Sequence, residues 1–454
     1  MGAFFTASAL GTLAVLGLLA GVEYGAVPVP LRSPPARPGE RMGEPPAGSL
    51  PFAFDGRFDS RNAALRGAAR WFEADGVAGV ETVAVAPNGT LALIGERGEV
   101  WIADAAGADG FAPPRRIARL PPGRPLGAVF DADGAVVAAL APVGLFRISA
   151  GGGAERIAAA SKVGARSEIA PGADLGFTND MDIGSDGVIY YSHSTHVGPF
   201  EMPDGRWNAL ESVYTSLGAA RPSGLLLRHD PATGATTALT GGLWFANGVA
   251  LSKGEDFVVV ADSIQAKLLR HWLRGPRRGE TDTFAANLPG PPDGVSRASD
   301  GGFWVAIYGR YPPVMNLAAH RLVRAAVALT PPRLRPPTPP RGLVLKLSEA
   351  GGVEFALEDP DGSVVRGVTS AVEAPDGRLW LGSLHEKGVQ ALDLPQPLRA
   401  LRTAGGPDAE AAGRLVRRLE ARRAAAVGSA RAAAQAARRG AGADAEEAGG
   451  HTEL

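Results

Sequence analysis

Apolar residues recur along this chain in short β-forming runs, each introduced by a tight polar turn. Six such units read PNGTLALIG (87–95), DADGAVVAAL (131–140), GSDGVIYYS (184–192), LSKGEDFVVVAD (251–262), ASDGGFWVAI (298–307) and APDGRLWLGS (374–383). Asn, Asp and Gly at the turns supply the positive φ that tight hairpins need. Runs dense in Val, Ile, Leu, Tyr and Trp suit buried or half-buried strands. The units recur at roughly 45–75 residues, longer than helical solenoid repeats and right for a propeller blade carrying loop insertions. Radial repetition also protects strand edges, because every blade packs between two neighbours. The pattern predicts an all-β fold, a six-bladed β-propeller over residues 57–396. An irregular β-sandwich with chance Asp-Gly turns is the alternative.

The repeat extends beyond the turn. Eight residues before the turn glycines Gly89, Gly134, Gly187, Gly301 and Gly377 stand Glu81, Leu126, Asn179, Asp293 and Thr369. The fourth turn is distorted by SKGED, and Asn247 lies seven residues before its Gly254. The first strand of each propeller blade lines the central channel, so equivalent positions converge on the axis. Glu81, Asn179, Asn247 and Asp293 would then share one site. Ca²⁺ takes about six to eight oxygens from carboxylates, amides and water, and two carboxylates with two neutral amides balance a divalent charge. Mg²⁺ fits less well because it demands strict octahedral geometry. Zinc is disfavoured, since the chain has no Cys and its few His are elsewhere. Any one of the four alone is more often a turn or capping residue; the shared register is what argues for a metal.

The flanks differ in character. Residues Ala3 to Val22 carry no charge and are rich in Leu, Ala, Val and Phe, a length that just crosses a bilayer. Residues 1–26 read as a signal-anchor, giving a single-pass membrane protein of an endomembrane or the plasma membrane, or as a signal peptide whose cleavage gives a secreted one. Arg32, Arg37 and Arg41 follow the segment and no basic residue precedes it, so the charge bias sets no clear orientation. Residues 27–56 are a Pro/Gly-rich linker, and residues 397–454 form an Ala/Arg-rich, low-complexity tail. Within the propeller, 311–341 reads as an insertion with an amphipathic helix and a proline-rich end, able to cover the channel mouth, rest on a membrane or pack on the surface. A hydrophobic content of 45% with net charge −1 indicates no nucleic-acid partner.

Four stretches carry a resemblance: FTNDMDIGSDGVIYYS (177–192), SGLLLRHDPATGATTALTGGLWFANGVALS (223–252), HWLRGPRRGETDTFAANLPGPPDGVS (271–296) and EDPDGSVVRGVTSAVEAPDGRLWLGS (358–383). In these the chain resembles the strictosidine synthase-like family, most nearly its adipocyte plasma membrane-associated members. That resemblance implies a six-bladed propeller related to the paraoxonases and to the gluconolactonase and regucalcin group, preceded by one transmembrane anchor. The family's metal motifs fall on Glu81, Asn179, Asn247 in FANGVA and Asp293 in the PGxPD stretch. Two departures stand out. Gly294 replaces the Asn that usually follows that Asp, which reads as the loss of an amide ligand. Ser370 occupies the place of the catalytic Glu of true strictosidine synthases, and Ser cannot serve as general base for a Pictet–Spengler condensation.

The chemistry that remains is a calcium-dependent hydrolysis of aryl esters or lactones, with the cation polarising the carbonyl and Asp293 moving the proton. Asp180, next to Asn179, points to the other strand face by the period-two rule and reads as a structural hydrogen-bonder. His193 and His196, in SHSTH, are further candidates, His193 as a catalytic residue; both are alternatively loop or core histidines, as is His385. The contrasting reading is a non-catalytic propeller scaffold or binding module with a structural calcium, since propellers host both roles.

Overall fold

In the computed structural model, each of the six polar turns closes a hairpin between the innermost and second strands of a four-stranded antiparallel sheet. The structure describes residues 62–106, 110–157, 161–310, 320–330, 334 and 340–394. The segment read as a signal-anchor, the linker and the Ala/Arg-rich tail lie outside the described residues. Among the described residues no helix is long and apolar enough to cross a membrane.

The inner and second strands are Val83–Val85 and Leu91–Ile94 in blade 1, Arg124–Phe130 and Val136–Ala141 in blade 2, and Thr178–Ile183 and Ile189–His193 in blade 3. They are Ala246–Leu251 and Phe257–Asp262 in blade 4, Pro292–Arg297 and Phe303–Ile307 in blade 5, and Val368–Glu373 and Arg378–Ser383 in blade 6. The second strands are buried nearly throughout, which is why they are continuous apolar runs rather than alternating ones. Their side chains fill the spaces between blades. Phe257, Phe284 and Phe303 pack edge-on or tilted between blades 4 and 5, with ring centroids 5.4–6.2 Å apart.

All six turns make the same closing bond, from the amide three residues after the acceptor carbonyl. Gly89 N–H donates to Ala86 O (2.9 Å) and Gly187 N–H to Gly184 O (2.9 Å). In the fourth turn the donor is Glu255, to Ser252 O at 2.9 Å, and Glu255 itself takes the positive φ of 56°. Glu255, not Gly254, is therefore the equivalent of the turn glycines. It stands eight residues after Asn247, so the apparent one-residue irregularity disappears.

The ring is closed by a strand from the beginning of the propeller. Ala69–Trp71 pairs with Val389–Asp393 and completes blade 6 as its outermost strand. Trp71 packs against Trp380 (5.7 Å) and Phe111 (5.8 Å), joining blade 6 to blade 1.

Among the described residues, two α-helices lie outside the sheets. The first, α1, covers Leu210–Ala219 in the long connection of blade 3; Asn208 Oδ1 accepts the Leu210 and Glu211 amides, and Ala220 ends the helix with a left-handed φ of 50°. The second, α2, covers Arg321–Leu329 in the insertion of blade 5 and packs on α1. Its Val327 joins Leu217, Phe177 and Phe245 in one apolar cluster. Of the three roles open to the insertion, its helix takes a place above the inner-strand starts, against the propeller.

Candidate metal and active site

The site begins with a backbone irregularity repeated around the ring. In blades 2 to 5, two residues of the inner strand oppose one residue of the second: Leu126–Gly127, Asn179–Asp180, Asn247–Gly248 and Asp293–Gly294. Blade 6 shifts register at Thr369. Such β-bulges bend the strand and re-aim a side chain. Here the first residue of each pair lines a pocket at the head of the inner strands, where Glu81 of blade 1 joins it.

The second residue of each pair faces the interior of the ring below. A Cβ on Gly127 would come within 2.4 Å of Asp180 Oδ1, and one on Gly248 within 2.3 Å of Asp293 O. Glycine at these places lets neighbouring inner strands close up. Asp180 fills the space so made: its oxygens accept Met181 N–H (2.9 Å), Val249 N–H (3.1 Å) and the Val295 amide. It thus joins blades 3, 4 and 5 as the structural hydrogen-bonder its strand position implied, and burial pushes its carboxyl up to about 7.

Each floor amide is oriented from behind. Asn179 Nδ2 donates to Ser194 Oγ (2.9 Å), which donates to Ala246 O (2.6 Å). Asn247 Nδ2 donates to Ser263 Oγ (3.2 Å), which donates to Pro292 O (2.5 Å). Both amides therefore present their carbonyl oxygens inward. Asn179 Oδ1, Asn247 Oδ1 and Glu81 Oε2 are buried with no hydrogen-bond partner. An unpaired buried acceptor costs about 1–3 kcal/mol, and three are gathered beside the Asp293 carboxyl. Oxygen-bearing side chains converging at one point are what a hard cation requires, so these residues fit Ca²⁺. Among the described residues no group of three or more His, Cys, Asp and Glu side chains is placed to hold a metal ion; the set here is half amide.

Burial raises both floor acids. Asp293 is pushed up to about 8 by burial, against a hydrogen bond from Asn247. Glu81 is held well above the usual carboxylate range by burial and then by Asp293, with the Arg124 guanidinium opposing.

Above this polar floor the pocket is apolar. Its walls are Phe177, Phe245, Ile264 and Leu384, with Val213 and Leu217 of α1, and Tyr308 and Arg310 stand at the rim. The space amounts to about 1060 Å³ with the open mouth included. Phe177 and Phe245 each precede a floor Asn by two residues, the spacing that puts both on one strand face. That repeated F-x-N, and the serines fifteen and sixteen residues after the two Asn, were visible signals that the sequence reading passed over. Helix α1 was missed too.

The structure brings Glu81, Asn179, Asn247 and Asp293 together, and leaves the other candidates apart. His193 is buried with its Nδ1 accepting Phe177 N–H (3.3 Å), and with His196 it borders a separate depression beside Ser223 and Arg221. As a catalytic candidate it is displaced because it ends the second strand of blade 3 with its ring turned from the channel. Gly294 borders the cavity on the far side of the bulges, and a Cβ there would meet Thr369 O at 2.6 Å. Ser370 lines the cavity on the far side of the bulges, with Asp180, Asp182 and Arg297.

The strictosidine synthase family profile matches residues 179–276. A strictosidine synthase-like protein of Arabidopsis thaliana is 34% identical over 271 residues, covering 58% of this chain and 67% of that protein. The adipocyte plasma membrane-associated protein of Rattus norvegicus is 30% identical over 287 residues, covering 60% and 70%. Among solved structures, a gluconolactonase from Xanthomonas campestris aligns with a TM-score of 0.49 at 17% identity, over 73% of this chain and 91% of that one. The chain is a six-bladed propeller with an oxygen-lined axial pocket. It belongs to the strictosidine synthase-like family.

Proposed function

We propose that this propeller is a calcium-dependent hydrolase of apolar aryl esters or lactones, tethered to a membrane through residues 3–22. One observation carries the reading: unpaired buried oxygens of Glu81, Asn179 and Asn247, from three separate blades, converge on the floor of an otherwise apolar pocket. Glu81, Asn179, Asn247 and Asp293 would hold the ion. Bound there, Ca²⁺ would polarise a substrate carbonyl and favour the developing oxyanion. Phe177, Phe245, Val213 and Leu217 would hold the acyl or aryl group and keep bulk water from the floor. Asp293, on the floor beside the carbonyl that the ion would polarise, is the carboxylate placed to take a proton from attacking water. Ser370, on the far side of the bulges, supplies no base, which argues against alkaloid condensation. The name of the adipocyte relatives places those proteins at the plasma membrane, in line with a tether here.

A second reading has its own support. The bonds from Ser194, Ser263 and Thr369 run from one blade to the next beside the floor residues, so a cation there would also brace the ring of a non-catalytic scaffold. The assay that separates the two measures phenyl acetate and a lactone panel with Ca²⁺ and with chelator. The hydrolase reading expects chelator-sensitive turnover that Asp293→Asn abolishes while the melting temperature stays largely intact. No turnover, with a melting temperature that collapses on chelation, would establish the scaffold instead.

A further inference from the structure

We propose that Tyr308 and His385 form a proton relay that delivers a proton to the departing alcohol oxygen of an ester or lactone in the pocket; this rests on the hydrolase reading above. Tyr308 follows the second strand of blade 5, whose Ile307 pairs with Pro292, the residue before Asp293. The Tyr308 amide donates to Pro291 O (3.2 Å), which fixes the residue beside the Asp293 bulge. Its ring lines the pocket rim, and its hydroxyl lies 3.1 Å from His385 Nε2. His385 follows the second strand of blade 6 and is exposed. The pair therefore connects the inside of the pocket to solvent across two blades.

Tyr308 has the character of a donor. A phenol is already protonated through the neutral range, and burial pushes that of Tyr308 further up. With His385 carrying its proton on Nε2, that N–H donates to the Tyr308 oxygen and leaves the phenol O–H free to point inward. Opposite it stand the apolar walls of α1 and blades 3 and 4. An acyl group packed there places the carbonyl over the floor and the leaving oxygen toward Tyr308.

The protons balance as follows. Attacking water gives one proton to the Asp293 carboxylate as its oxygen bonds the carbonyl carbon. The bond from that carbon to the leaving oxygen then breaks, and the leaving oxygen takes the Tyr308 proton. His385 Nε2 restores the phenol as solvent protonates Nδ1 in the same step, proton exchange of the exposed ring with solvent then returns the Nε2–H tautomer, and Asp293 returns its proton to solvent. One ester and one water are consumed.

A nitrophenolate departs without such help, whereas an alkoxide, far more basic, needs it. The test measures kcat/KM with Ca²⁺ for acetates of nitrophenol, phenol and simple alcohols, and for a lactone, in wild type, Tyr308→Phe and His385→Gln. Tyr308→Phe should slow the alkyl ester and lactone by about 100-fold and nitrophenyl acetate by no more than about twofold. His385→Gln should show the same dependence on leaving group with a smaller loss of about 10-fold. Should Tyr308→Phe fail to fold, the surface variant His385→Gln still reads the slope. Losses equal across the series, or none, would overturn the relay while leaving the hydrolase intact. A wild type without chelator-sensitive turnover of any ester would overturn both.

Discussion

Asn179 and Asn247 each give an amide N–H to a serine and keep the carbonyl oxygen for the pocket. An amide is symmetric in shape but not in charge, and only a partner behind it decides which end faces inward. If these oxygens bind calcium, Ser194→Ala should cost about ten- to hundredfold in calcium affinity, as loss of an orienting partner behind a metal ligand generally does. Titration calorimetry would measure it; unchanged affinity would show that Ser194 serves the blade junction alone. At this scale the floor was legible because a fixed distance from each turn marks it. The serines were not, because each stands just past the end of the next strand and acquires its meaning only when the hairpin pairs. Gly294 directly follows Asp293 in the chain, yet the two border different cavities, a separation that adjacency alone does not reveal.

Elements show the same division. The turns and second strands follow from local patterning, since an apolar run bounded by turn residues has few alternatives. The bulges leave no such trace, apart from Gly127, Gly248 and Gly294 one place after the floor residue. Gly248→Ala tests whether that closeness matters. Its Cβ would meet Asp293 O and Val295 N, each at 2.3 Å. Overpacking of this kind typically costs about 1–3 kcal/mol, so the urea midpoint should fall, and calcium affinity with it as Asp293 is displaced. Helix α1 escaped notice because LESVYTSLGA mixes Ser, Thr and Gly among its apolar residues, and a short helix of that kind is held by packing rather than propensity.

For the whole molecule, acidity concentrated at the axis links stability to pH. Glu81, Asp180, Asp262 and Asp293 are all raised by burial, the last three to about 7, 6 and 8. A carboxyl whose folded value exceeds its unfolded one binds more protons when folded, so its stabilisation is lost as pH rises through the folded value. In the presence of chelator the melting temperature should fall between about pH 5 and pH 8. If a cation occupies the floor, calcium should reverse that fall and raise the melting temperature more at pH 8 than at pH 5. A calorimetric scan across that range decides it. Ring closure, by contrast, was not legible: Ala69–Trp71 is three residues long and mostly exposed, and only its pairing with Val389–Asp393 reveals its place.

The bulges have one more consequence. Because the backbone, rather than the side chain, determines where the first residue of each bulge stands, the four bulged places of blades 2 to 5 are interchangeable sockets. Leu126 occupies one of them without contributing a carboxylate or amide. A propeller of this kind can gain, lose or retune its axial chemistry by single substitutions at scattered points of the gene, with no strand moved. That gives a physical route by which relatives sharing one architecture diverge in what they catalyse.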